Sequence, residues 1–169
     1  MIGFKRGKIK LLPYQLEWKE LFSKEKQHLE ATIGNNILEI EHIGSTAIPG
    51  MTAKPIIDIA IAIHNFEEAK VCIDLLEKIG YEYKGEFGIS RRHYFVKGTP
   101  RRYHLHMNEI TSENWKNHIS FRDYLIKHPD KAKQYADLKI KPAQQFKANR
   151  EAYIEGKTSF IKKILQLSK

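Results

Sequence analysis

Residues 56–63, IIDIAIAI, are apolar at seven of eight positions, and the exception is the carboxylate of Asp58. A run this short and this rich in isoleucine reads as a β-strand, because β-branched side chains favour a pleated backbone. Burying an unpaired carboxylate in such a strand is costly, so its presence implies a metal ion, a cation or an open cleft there. The chain therefore has to build a sheet that offers Asp58 a polar surrounding.

The flanking segments supply the rest of that sheet and its helices. Residues 37–43, ILEIEHI, alternate, with Ile37, Glu39 and Glu41 on one face and Leu38, Ile40 and His42 on the other. The intervening GSTAIPGMTAKP is a loop with turn residues at Gly44, Pro49 and Gly50. Upstream, Leu16, Leu21, Phe22, Leu29 and Ile33 recur at helical spacing beside Trp18, with Pro13 opening the helix and Gly34-Asn35 closing it. Downstream, 65–80 is an amphipathic helix capped by Asn65 and stopped by Gly80. YEYKGEFGI is strand-like, and RRHYFVKG and RRYHLHMNEI form a hairpin around Gly98-Thr99-Pro100. From residue 111 the texture is helical. Ser112 caps one helix, His128-Pro129-Asp130 breaks it, Pro142 ends or kinks the next, and Asn149 caps the last.

At 169 residues the chain suits one domain, expected over 1–169. Its lone cysteine, Cys72, excludes an internal disulfide and any cysteine-based metal cluster, and reads as a buried thiol in a reducing compartment. No apolar run approaches the roughly 18 residues of a membrane span, and the start lacks a secretory h-region, so a cytoplasmic protein without membrane attachment is expected. The net charge of +9 is uneven: residues 1–110 carry 16 Lys/Arg against 14 Asp/Glu, and 111–169 carry 13 against 6. A basic second half suits an anionic partner, or else the solvated faces of helices. Its lysines are scattered over several faces and interrupted by acids, so strong binding of long nucleic acid is not expected.

The segment 41–59, EHIGSTAIPGMTAKPIIDI, carries the most specific chemistry. A Gly-Ser turn can present N–H groups and a hydroxyl to phosphate oxygens, and a carboxylate on the next strand can hold a divalent ion against them. The pattern resembles that of the nucleotidyltransferase superfamily, a Gly-Ser turn followed by Asp-x-Asp or Asp-x-Glu between apolar residues. Ala60 stands where the second acid belongs. A longer similarity, over nearly the whole chain, is to the GrpB family. It is carried by EHIGSTAIPGMTAKPIIDI, YHLHMNE, FRDYLIKHPDKAKQYADLK, REAYIEGKTSFI and Trp18 on the first helix. That resemblance implies an α+β nucleotidyltransferase-like fold: a mixed β-sheet with helices on one side and a helical C-terminal cap.

The expected function is binding of a nucleotide or another phosphorylated small molecule, with metal-dependent nucleotidyl transfer as its catalytic form. Gly44, Ser45, Thr46 and Lys54 are candidate phosphate contacts, as are Arg91, Arg92, Arg101 and Arg102, which flank the hairpin turn and whose forked guanidinium groups suit phosphate. Asp58 is the candidate catalytic carboxylate and metal ligand. On a strand His104 and His106 point to one face. With Asp58, and Glu41 as a fourth, they can form a ligand set that favours zinc, manganese or iron over magnesium, whereas Asp58 with phosphates suits magnesium or manganese. His42 reads as structural, and nothing in the sequence pairs Ser45 with a base. Tyr135, Lys139, Tyr153, Lys157 and Phe160 can face the cleft or simply line ordinary helices. Two alternatives stay open: a non-catalytic binding module, which Ala60 favours, and a metal-dependent hydrolase built on Asp58, His104 and His106.

Overall fold

The computed structural model describes residue 2 and residues 10–145 and 150–169, with the backbone alone for 140–145 and 150–154. In chain order the elements are α1 (Glu17–Ile33), β1 (Glu39–Ile43), β2 (Ile57–Ile63), α2 (Val71–Lys78), β3 (Tyr81–Tyr83), β4 (Arg92–Lys97), β5 (Tyr103–Glu109), α3 (Glu113–Lys127), α4 (Pro129–Gln145) and α5 (Arg150–Leu167). The α+β class expected from the sequence is the class observed.

The five strands form one mixed sheet in the order β1-β2-β5-β4-β3. β2 and β5 run parallel, and every other pair is antiparallel. The isoleucine-rich β2 is therefore an interior strand, with partners on both edges. Ile57, Ile59, Ile61 and Ile63 pack with Leu105, Met107 and Phe95 against Trp18, Leu29 and Ile33 of α1 and Cys72 and Leu76 of α2. Burial pushes the Cys72 thiol up, as for an inert core cysteine.

The opposite face is covered only in part. Trp115 of α3 seals Ile43, Ala60 and Ala62. A separate cluster of Ile48, Met51, Leu125, Ala132, Tyr135 and Ile164 ties the loop after β1 to α3, α4 and α5. The C-terminal helices thus cap one end of this face. β5 and β4 continue it with His104, His106, Tyr94 and Arg92, and with the apolar Val96 opposite His104.

Several local expectations are corrected. Pro13 does not open α1, which begins at Glu17, because Leu12 pairs with Ala53 and holds the backbone extended there. The amphipathic 65–80 segment starts as a 3₁₀ turn over Glu68–Lys70, and Asn65 accepts from the N–H groups of Glu67 and Glu68. Only Tyr81–Tyr83 of YEYKGEFGI is strand; residues 84–91 form a loop. Pro142 does not end α4, which continues to Gln145. Asn149 lies outside the described residues. The Ser112 cap is present, accepting from the Trp115 N–H at 3.1 Å.

Candidate functional site

The parallel pairing of β2 with β5 sets Asp58 opposite His104 and Ala60 opposite His106. Residues opposite one another share a face, so the carboxylate and both imidazoles stand together, with Leu105 turned into the core beneath α1 and α2. Asp58 Oδ1 is 3.3 Å from His104 Nδ1 and 3.3 Å from His106 Nε2. Burial pushes this carboxyl upward, but the two imidazoles override it and hold Asp58 well below the usual carboxylate range. Gly44 closes the other side. Its φ is +73°, and a Cβ there would fall 2.8 Å from Asp58 Oδ2, so the turn after β1 can approach Asp58 only as glycine.

His106 is fixed from behind by Arg92. The buried guanidinium donates to His106 Nδ1 at 3.2 Å and to the carbonyl oxygens of Glu86 and Phe87. Arginine has only donors, so His106 Nδ1 accepts and its Nε2–H points at Asp58. His118 of α3 joins this group, its ring 5.2 Å from that of His106. Burial above all, with His106 beside it, lowers His118 to about 4 and keeps it neutral. The Nε2 atoms of His104 and His118 are buried without hydrogen-bond partners. His118 escaped sequence reasoning. Its only signal was helical spacing, three residues after Trp115 and four before Arg122.

The third component is cationic. Lys139 of α4 donates to Ser45 Oγ at 2.7 Å and to the Thr52 carbonyl at 2.8 Å. Burial, helped by the charges of Lys157 and Lys54, lowers Lys139 to about 7. Burial and Lys54 also lower Lys157. Ser45, Thr46, Lys54, Asp58, His104, Lys139 and Lys157 line one pocket of about 250 Å³. Lys139 and Lys157 therefore do face the cleft. Tyr135 and Phe160 instead stack on each other at 5.4 Å in the helical cluster, and the Tyr153 side chain lies outside the described residues.

The remaining candidates are placed elsewhere or already engaged. Thr46 is buried and hydrogen-bonded to His42 Nε2 at 2.9 Å. His42 itself is lowered to about 4, chiefly by burial, and stacks on Phe22 of α1. Glu41 shares the Asp58 face, but its carboxylate meets the Arg122 guanidinium at 2.6 Å. The expectation that Arg91 and Arg92 flank the hairpin turn is corrected: they sit at the far end of β4, while Arg101 and Arg102 lie beside the turn. Arg91 is tied to Glu67 and Glu109 at 2.8–2.9 Å.

Among the described residues, no three His, Cys, Asp or Glu side chains are arranged as ligands of one ion. An imidazole ligand needs its lone pair free, and Arg92 directs the His106 lone pair away from Asp58.

The α+β fold thus brings one carboxylate, paired imidazoles and lysines together beside a Gly-Ser turn. Residues 8–167 match the GrpB protein family, and the chain belongs to it. It is 41% identical over 160 residues to the UPF0157 protein YqkA of Bacillus subtilis, covering 94% of this chain and 47% of that protein. The chain thus spans about half the length of YqkA. It is 35% identical over 171 residues to the glutamate-rich protein GrpB of Alkalihalophilus pseudofirmus, covering 98% of each. A dephospho-CoA kinase of Mycolicibacterium paratuberculosis is 24% identical over 183 residues, covering 93% of this chain and 45% of the kinase. The crystal structure of the conserved protein GrpB from Enterococcus faecalis superposes with a TM-score of 0.85 at 38% identity, covering 94% of this chain and 96% of that one.

Proposed function

We propose that this protein binds a nucleotide or another phosphorylated small molecule in the pocket between the Gly44-Ser45 turn and Asp58. The observation that carries this is the charge of the pocket: Lys54, Lys139 and Lys157 line it against the single carboxylate of Asp58. Burial lowers Lys139 and Lys157, and the charge of Lys54 adds to both, so an anion in the pocket would favour their charged forms, and phosphate oxygens accept well from lysine and hydroxyl donors. The similarity to a protein named dephospho-CoA kinase makes coenzyme A precursors sensible first ligands.

Asp58, together with the ligand's own phosphates, would hold a magnesium or manganese ion, since such ions need few protein ligands. The ion would supply charge neutralisation at the phosphates, as in nucleotidyl transfer. The protein's own contribution is positioning. Gly44 lets the turn approach, Lys139 holds Ser45, and His104 and His106 keep Asp58 ionised. A binding role without turnover is favoured by Ala60, which is fully buried and packs with Trp115 where a second acid would stand.

Isothermal titration calorimetry with inorganic tripolyphosphate, nucleoside triphosphates and dephospho-CoA, each with and without magnesium, tests this. Binding that is weakened about tenfold or more by Lys157→Ala, the scale of one lost charge-assisted hydrogen bond, is expected. Absence of heat with every phosphorylated compound, in a protein shown to be folded, would reject the proposal.

A further inference from the structure

We propose that Phe87, stacked on Tyr94, is the platform for a planar heterocyclic base, which makes the ligand of the lysine pocket a nucleotide rather than a simple sugar phosphate. This rests on the phosphate-binding proposal and extends it across the sheet. Tyr94 of β4 stands opposite His106 of β5, on the face that carries Asp58. Its ring lies 5.8 Å from His104 and 5.2 Å from His106. Phe87 lies over Tyr94 at 5.0 Å with the planes 24° apart. Tyr94 is 6% exposed, whereas Phe87 is 58% exposed. The lysine pocket thus reaches Asp58 and His104, His104 neighbours Tyr94, and Tyr94 carries the accessible ring of Phe87.

The loop that holds this ring is shaped at a conformational cost. Phe87 has φ +50° and Arg91 has φ +60°, the two non-glycine residues with positive φ among those described. Bulky residues enter this region only where their surroundings impose it. Here Arg92 imposes it, donating to the Glu86 and Phe87 carbonyl oxygens while its third contact reaches His106. Arg91 anchors the loop's end through Glu67 and Glu109. One guanidinium therefore couples the position of the exposed ring to the imidazole beside Asp58. Phe87 packs over the buried Tyr94 ring and leaves more than half of its own surface accessible to a base. Bases of any sequence stack on such rings, and a cationic pocket at one end sets the direction of the nucleotide.

The test compares inorganic tripolyphosphate with ATP by calorimetry, on the wild type, Phe87→Ala and Phe87→Trp. ATP should bind the wild type more tightly than tripolyphosphate. Phe87→Ala should weaken ATP about tenfold, the scale of one lost base stack, and leave tripolyphosphate unchanged. Phe87→Trp should preserve ATP binding, with its added indole fluorescence quenched by ATP and not by tripolyphosphate. Equal affinities in the wild type, equal losses for both probes in Phe87→Ala, or no loss for ATP would each overturn the platform. If tripolyphosphate binds and Phe87→Ala leaves ATP affinity unchanged as well, the platform alone is overturned. Failure of both probes to bind overturns it together with the phosphate proposal.

Discussion

Lys139 Nζ lies 2.7 Å from Ser45 Oγ, so a buried lysine of the fourth helix is joined to the turn that follows the first strand. Burial first, and then the charges of Lys157 and Lys54, bring its pKa down to about 7. A lysine lowered in the folded state binds fewer protons there than in the unfolded chain above that value. Its contribution therefore raises stability as the pH climbs from about 7 toward the ordinary lysine range. Anion binding runs the other way, because the anion favours the protonated form. Tripolyphosphate affinity should fall as the pH rises through about 7, and Lys139→Met should flatten that profile. Titrations of both proteins between pH 6 and roughly 9 check it, and the comparison removes the probe's own ionisation. An unchanged profile in the variant would show that Lys139 does not carry the effect.

Gly44 and Asp58 give a second expectation. Alanine at 44 meets two costs: a positive φ, and a Cβ 2.8 Å from Asp58 Oδ2. Gly50 also has positive φ (+78°), but a Cβ there meets nothing within 4 Å, so Gly50→Ala isolates the backbone cost. Gly50→Ala should destabilise by about 1 kcal/mol and Gly44→Ala by about 2–3 kcal/mol, since the contact adds to the strain. Urea unfolding measures both. Equal losses would mean that Asp58 moves aside freely.

Much of this site was legible in the sequence, and the missing parts share one cause. Strand parity already put His104 and His106 on one side and Leu105 on the other, and the isoleucines of 56–63 marked Asp58 as exceptional. What parity cannot supply is register. The parallel pairing that sets Asp58 beside His104 joins segments 46 residues apart through a helix and two strands. His118, Arg122 and Lys139 lie on helices whose patterns mark an inward face without naming what that face meets. The sequence therefore offered Glu41 as a metal ligand, because its partner Arg122 is 81 residues away. The start of α1 was misjudged for a similar reason: the Leu12–Ala53 bridge is a tertiary contact that overrides the local signal of Pro13.

Arg92 should set the tautomer of His106. With the guanidinium donating to Nδ1, the neutral ring carries its proton on Nε2. Nitrogen chemical shifts of the His106 ring at neutral pH should show an unprotonated Nδ1, and Arg92→Met should mix the two tautomers. The same variant removes both contacts to the Glu86 and Phe87 carbonyl oxygens, so amide exchange across residues 84–91 should speed up. Retention of a single tautomer in Arg92→Met would assign that control to Asp58 instead.

Ala60 stands where the nucleotidyltransferase pattern that the sequence resembles has its second acid, and the structure indicates that Ala60→Asp should fail. Ala60 is fully buried and packs with Ile43, Ala62 and Trp115. It stands opposite Glu41 on β1, two residues from Asp58 on its own strand. An introduced carboxylate would therefore lose water and meet the like charges of Glu41 and Asp58, with Arg122 already committed to Glu41 and His106, opposite on β5, held by Arg92. The expected loss is on the order of 3–5 kcal/mol at neutral pH. Ala60→Asn has nearly the same shape without the charge, so the difference between the two isolates the electrostatic part. The sign with pH is fixed as well. Burial raises the folded pKa of such a group, so the folded state takes up its proton first and the deficit shrinks as the pH falls toward the carboxylate range. Chemical denaturation of both variants at pH 5 and 8 measures it. If Ala60→Asp instead keeps wild-type stability and gains magnesium-dependent triphosphate binding, Trp115 is not a barrier there, and the single-carboxylate site is one substitution away from a two-metal one.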